Sequence, residues 1–169
     1  MTDRDTARWA DFEEQAPRLA SAIGERLLGE GTGAVTYLAT VRRDHTPRVM
    51  PVRVFVHDGD ACFMTFPTSA KAQDLRANPN FAAHVAIGAA PGAASETHFR
   101  GTVELIDDAA RTETTRAGAP FARPPSAGTA LFVLRLERAA AGLAGPDGPI
   151  RLRWRASTGL ETEEQVLRR

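Results

Sequence analysis

Lysine occurs once in this chain, at position 71, among 21 basic residues that are otherwise all arginine. It stands in Thr68-Ser69-Ala70-Lys71, just after the apolar run Ala61–Phe66 and Pro67. Serine is a preferred N-cap, so the pattern predicts a helix over Ala70–Ala77, stopped by Asn78-Pro79. The mouth of such a helix offers unpaired amide hydrogens and the positive end of the helix dipole, to which the Ser69 hydroxyl and Lys71 ammonium add two more groups for an anion. The chemistry on offer is phosphate binding, each hydrogen bond to the charged group contributing about 1.5–3 kcal/mol. Taken alone, the four residues fit an ordinary capped helix with a solvated lysine better than a ligand site.

Other reactive residue types form no comparable pattern. Cys62 is the single cysteine, which excludes an intramolecular disulfide and a multi-cysteine metal site, and its apolar neighbours predict a buried, inert thiol. His45 and His57 fall at turn or strand ends, and His84 and His98 lie on successive strands without metal-ligand spacing, so no metal site is expected. Asp58 and Asp60 flank a turn glycine and Asp107-Asp108 reads as a helix cap, so no paired carboxylates are set up for acid–base work and no catalytic side chain is assigned.

The elements that must position these residues follow from periodicity. Trp9, Phe12, Ala16, Leu19, Ile23 and Leu27 recur at helical steps, and Pro17 divides them into a leading turn or helix to about Gln15 and a main helix over 17–28. Strands are expected at Ala34–Val41, Arg48–Val56, Ala61–Phe66, Phe81–Ile87, Glu96–Ile106, Thr129–Arg138 and Ile150–Arg155. Pro51 places the second strand at an edge or a bulge, and Gly101 marks a bulge in the fifth. Asp108 or Asp107 caps a helix through Arg116. Gly88–Ser95 and Gly118–Gly128 read as mobile loops, and the charged tail from 156 to 169 as partly helical. The expected fold is α+β and mainly antiparallel: a six- to seven-stranded split β-barrel, spanning about 34–155, with peripheral helices in a single domain over 1–169.

Composition limits the partners. With 169 residues, 43% of them hydrophobic, and zero formal net charge, the chain can bury one core and has no overall field for nucleic acid or an anionic membrane. Met1–Gln15 lacks the apolar core of a signal peptide, and no run approaches the roughly 18 apolar residues of a membrane span. The expectation is a soluble cytoplasmic protein.

Read together, the strand Ala34–Val41, PRVMPVRV, the DGD turn, the strand ending in Met64-Thr65 and TSAKAQDLRANP resemble the pyridoxamine 5'-phosphate oxidase-like, flavin-binding split-barrel superfamily. The resemblance covers about Ala34–His84 well and Glu96–Asp107 loosely. It implies an FMN site in which Arg48 reaches the phosphate or ribityl end, Val49 and Met50 run along the isoalloxazine ring, Arg53 approaches the flavin or substrate, Met64 and Thr65 flank the cofactor, and Ser69 and Lys71 hold the phosphate. It further implies a homodimer with the cofactor between subunits and oxidoreductase activity on a small molecule. Two departures are visible. Ala70 replaces an arginine beside the phosphate-binding lysine, and Trp154 stands between Arg153 and Arg155 with no nearby histidine, which argues against oxidation of pyridoxamine phosphate itself. Several of these features, including the LATVRRD run and the AKAQDLRANP helix, resemble equally well reductases that use the deazaflavin coenzyme F-420. A non-catalytic carrier or sensor of flavin or haem is the alternative from another class, with His84 and His98 as the place to seek a haem ligand.

Overall fold

The computed structural model describes residues 5–28, 35–85, 96–145 and 148–165. Along the chain these form α1 (Trp9–Gln15), α2 (Pro17–Leu28), β1 (Thr36–Val41), β2 (Pro47–Val52), β3 (Phe55–His57), β4 (Asp60–Thr65), α3 (Ala70–Ala77), β5 (Asn80–Val85), β6 (Thr97–Ile106), α4 (Ala109–Ala117), β7 (Ala130–Gly145), β8 (Gly148–Arg155) and β9 (Gly159–Gln165). The strands make one 9-stranded antiparallel sheet in the order β2-β1-β5-β6-β7-β4-β3, with β8 on β7 and β9 on β8. No helix among the described residues is long and apolar enough to cross a membrane.

The two ends of the strand path, β2 and β3, are separated in sequence only by Arg53 and Val54. Three chain steps span at most about 10 Å, so the sheet must curl until its edges nearly meet. Among the described residues no pairing joins β2 to β3, and the barrel is split along that seam. The expected single strand over Arg48–Val56 is therefore two strands belonging to opposite edges. Proline at 51 is tolerated because β2 is an edge, where its missing N–H costs no ladder bond.

Several local signals act as expected. Asp58 and Gly59 both take positive φ (50° and 72°) between the paired His57 and Asp60, the geometry of a two-residue hairpin turn. At the β6 bulge the register shifts between Arg100 and Gly101, and a Cβ on Gly101 would lie 1.9 Å from the Arg135 carbonyl oxygen, so only glycine fits. Three expectations are corrected. The strand beginning near Thr129 runs on to Gly145, because pairing with β8 outweighs the low β-propensity of its glycines and alanines. Within the expected helical tail, Gly159–Gln165 is strand β9, since Gly159 turns at φ 75° and brings the chain back along the open edge of β8. The described residues accordingly hold nine strands. Ile87 and the expected loop Gly88–Ser95 lie outside the described residues.

Phe12, Leu19, Ile23 and Leu27 of the helices, all fully buried, share the main core with Leu38, Phe63 and Phe132 of the barrel. Trp154 belongs to this core as well: it is 1% exposed, its ring centroid is 4.8 Å from that of Phe12, and its Nε1–H donates to Gln15 Oε1 at 3.0 Å. A smaller core on the other side of β4 and β7 holds Phe55, Cys62, Ala119, Leu131 and Val133, with Met64 and Phe121 against it. The Cys62 thiol is pushed up to about 12, by burial first and by Asp60 second.

Asp60, 4% exposed, pins three elements. Its Oδ1 accepts from Arg8 Nε and Arg135 Nη1, both at 2.9 Å, and its Oδ2 from Arg111 Nη2 at 2.8 Å. Burial works against the ionised carboxyl, but Arg8 and Arg135 outweigh it and hold Asp60 below the usual aspartate range.

Candidate functional site

The seam between β2 and β3 opens into a cavity of about 330 Å³ lined by Val35, Pro51, Val52, Arg53, Phe55, Met64, Thr65, Lys71, Phe121 and Pro125. Among the described lining residues, two cations and one hydroxyl interrupt an otherwise apolar wall, with no carboxylate. Among the described residues Lys71 has no hydrogen-bond or ion-pair partner.

Each polar group is placed by local rules. Ser69 caps α3, its Oγ accepting from the Ala72 N–H at 3.3 Å, and shares a 3.2 Å hydrogen bond with Thr65 Oγ1. The turn before the helix is tied back on it, Gln73 Nε2 donating to the Thr68 carbonyl at 3.1 Å and Arg76 Nη1 to that of Pro67 at 2.6 Å. The amides of Ala70 and Lys71 have no acceptor among the described residues, as expected of a first helical turn. Arg53 leaves the sheet at the seam, where its side chain is exposed and its Cζ lies 5.6 Å from the Phe121 ring centroid.

Of the eight residues singled out in the sequence, Arg53, Met64, Thr65 and Lys71 meet at this cavity, with Ser69 bonded to Thr65 beside it. Arg48, Val49 and Met50 do not line it. Arg48 Nε donates to Asp74 Oδ2 at 2.7 Å, and the same oxygen accepts from Thr40 Oγ1 at 2.8 Å. Asp74 is 7% exposed, so this bonded group fastens α3, and with it Ser69 and Lys71, to β1 and β2. Val49 is 64% exposed on the outer face of β2, and Met50 is half-buried on the opposite face with Arg48 and Val52.

Phe121 is the residue the sequence pattern passed over. The segment after α4 is rich in glycine, alanine and proline, and Phe121 is its single aromatic between Gly118 and Gly128, a signal that a hydrophobic anchor is present. Its ring meets Phe55 edge-on at 5.3 Å and 77°, its N–H donates to the Ala119 carbonyl at 2.8 Å, and Arg116 Nη1 donates to the Pro125 carbonyl at 3.2 Å. The segment is a packed wall of the cavity.

His84 and His98 face each other across β5 and β6. His84 Nδ1 is 2.7 Å from the Val85 carbonyl. Among the described residues no group of three or more His, Cys, Asp and Glu is placed to hold a metal ion.

The family model for pyridoxamine 5'-phosphate oxidase matches residues 33–141, well over half of the chain and all of the strands and helices that build the cavity. The chain belongs to the pyridoxamine 5'-phosphate oxidase family. Solved structures agree on the fold. A pyridoxamine 5'-phosphate oxidase-related, FMN-binding protein from Nostoc punctiforme PCC 73102 superposes with a TM-score of 0.63 at 17% identity, over 90% of this chain and 96% of that one. PhzG from Burkholderia lata 383, in complex with tetrahydrophenazine-1-carboxylic acid, gives 0.61 at 15% identity over 98% and 97%. A haem-binding protein from Mycobacterium smegmatis gives 0.59 at 17% identity over 81% and 58%. At these identities the likeness is one of fold. No curated protein sequence matches the chain. The split barrel of this oxidase family is thus the scaffold on which Lys71, Ser69 and Arg53 are displayed.

Proposed function

We propose that the chain binds FMN in the seam cavity and acts as a flavin-dependent oxidoreductase on a small molecule. The observation that carries this reading is the Lys71 ammonium at a capped helix mouth, without a partner among the described residues and opening on an apolar cavity whose described lining holds no carboxylate. Such a donor set suits a phosphate attached to a large flat ring: the free amides of Ala70 and Lys71 and the Lys71 ammonium take the phosphate, and Val52, Phe55, Met64 and Phe121 offer apolar surface to the ring. FMN supplies the electron-transfer chemistry when bound, which relieves the protein of needing a side-chain acid or base. Arg53 holds positive charge at the cavity and favours the more negative redox form of whatever lies beside it. Phe121 and Pro125 exclude water from one side.

A second copy of the chain would cover the other side. At about 330 Å³ the cavity lies at the small end of ligand sites, and its rim continues into exposed apolar surface at Val35, Tyr37 and Val49 (40%, 48% and 64% exposed). Tyr37 pairs with Pro51, and Ala39 with Val49, on one face of β1 and β2. A homodimer with FMN at the interface buries this surface.

The absorption spectrum of the purified protein, with mass spectrometry of any released ligand and titration with FMN, tests the reading. A flavin spectrum and saturable FMN binding are expected. A colourless protein that takes up no FMN refutes it. With FMN bound, reduction by NADH or NADPH followed by repeated turnover separates an enzyme from a carrier, and sedimentation at several concentrations tests the dimer.

A further inference from the structure

Away from the seam, a second concavity of about 410 Å³ runs across the outer face of β6, β7 and β8. Among the described residues that line it are Arg100, Arg138, Arg151, Arg153 and Arg155, together with His98 and Glu161. The formal charge of the whole chain is zero, so gathering five arginines in one groove is a local concentration of charge, not a reflection of composition.

The register sharpens the point. Arg100 lies directly opposite Arg138 across β6 and β7, and Arg138 directly opposite Arg155 across β7 and β8. Like charges set opposite one another on neighbouring strands destabilise a sheet, and a face with only a structural task gains from alternating the sign. Arg100 and Arg138 share a carboxylate, both turning to Glu137 at the long distances of 3.4 and 3.5 Å. Arg155 meets Glu161 at 2.8 Å and Arg151 meets Glu96 at 2.5 Å. The bulge at Gly101 supplies the geometry: it inserts Glu137 as the extra residue of β7 and brings Arg138 level with Arg100. The His98 imidazole is held below its ordinary value, first by burial, with Glu96 opposing and Arg151, His84 and Arg100 adding to the depression, as expected where positive charge accumulates.

We propose that this groove is a binding site for a small polyanion, a molecule carrying two or more phosphate or carboxylate groups. Neighbouring strands lie about 4.8 Å apart, so guanidinium groups from β6, β7 and β8 present a row of forked donors to a ligand whose oxyanions are spaced over a few ångströms. The site is independent of the FMN reading.

The test uses the full-length protein with tripolyphosphate and citrate as probes, read by calorimetric titration and thermal melting at low and raised ionic strength. Binding of at least one probe is expected, weakened by salt, with a rise in melting temperature; preference for one probe tells phosphate from carboxylate. Arg138→Gln should lose at least tenfold in affinity, yet melt no lower than wild type without ligand, because a like charge has left the row. Arg155→Gln is the second variant, should the first fail to fold. Arg43→Gln, on the exposed turn after β1, should change nothing. Undiminished affinity in Arg138→Gln and Arg155→Gln, a clear loss of ligand-free stability in Arg138→Gln, or failure of both probes to bind overturns the proposal. So does binding that is lost in Lys71→Ala and kept in Arg138→Gln, since the anion would then sit in the seam cavity.

Discussion

Replacing Lys71 with alanine should separate ligand binding from folding. The ammonium has no partner among the described residues, so among them its removal breaks no ion pair and strands no counter-charge. It also sits in the first turn of α3, where a cation opposes the helix dipole, and its loss should stabilise the free protein by about 0.3–1 kcal/mol, or raise Tm by about 1–3 °C. Toward FMN the sign reverses. A charge-assisted hydrogen bond to phosphate is worth about 1.5–3 kcal/mol, and because the side chain is only partly buried the lower half of that range applies. Kd should rise about 10- to 40-fold, at 1.4 kcal/mol per decade. Quenching of FMN fluorescence on titration measures the change, and riboflavin, which lacks the phosphate, serves as the control: its affinity should be unaffected by the substitution. Equal losses for FMN and riboflavin, or an unchanged Kd for FMN with an intact fold, would refute the assignment of the phosphate to the mouth of α3.

The seam can also be probed at its aromatic wall. Phe121→Leu keeps the packing on Phe55 but removes the ring beneath Arg53, and FMN affinity should fall about 2- to 5-fold, as expected for a cation–π contact of about 0.5–1 kcal/mol at an exposed site; Arg53→Gln should abolish any further effect of Phe121→Leu, and additive losses would contradict the coupling. Arg53→Gln itself should lower the reduction potential of bound FMN by ~20–40 mV, for a charge interaction of about 1–2 kcal/mol in a two-electron couple, and a rise in potential would count against the charge argument. Asp60→Asn leaves Arg8, Arg111 and Arg135 without their shared carboxylate and should cost about 3 kcal/mol, with a fall in Tm on the order of 6–12 °C. Because the Asp60 carboxyl is held below its unfolded value, its contribution is complete above that value and is lost as pH falls through the lower, folded one; the Tm gap between wild type and Asp60→Asn should therefore close on acidification below about pH 4, and a gap that widens there would show the wrong sign. Cys62, buried and pushed up to about 12, should resist iodoacetamide at mildly alkaline pH until the protein is denatured, and rapid labelling of the native protein would contradict its burial.

Short-range signals determined much of this protein from the sequence alone. Pro17 divides α1 from α2, Ser69 and Asn78 bound α3, Asp58-Gly59 makes the hairpin and Gly101 makes the bulge, because each of these depends on backbone conformations that a few neighbouring side chains select. The order of those signals was sufficient to indicate the split barrel and to draw attention to Lys71, Thr65 and Arg53. Tertiary structure alone decided which groups meet. The run Arg48–Val56 looks like one strand, and only closure of the sheet shows that it must cross from one edge to the other at Arg53. The charged tail favours helix locally, and the unpaired edge of β8 overrides that preference. Arg48 and Asp74 are 26 residues apart, and their ion pair, which ties α3 to β2, depends on α3 packing against β1. Phe121 becomes a wall of the cavity because the core formed by Phe55, Leu131 and Val133 is ready to receive it, and the row of arginines on β6, β7 and β8 exists only once the register is set. Local chemistry names the groups that can act, whereas long-range pairing determines their neighbours.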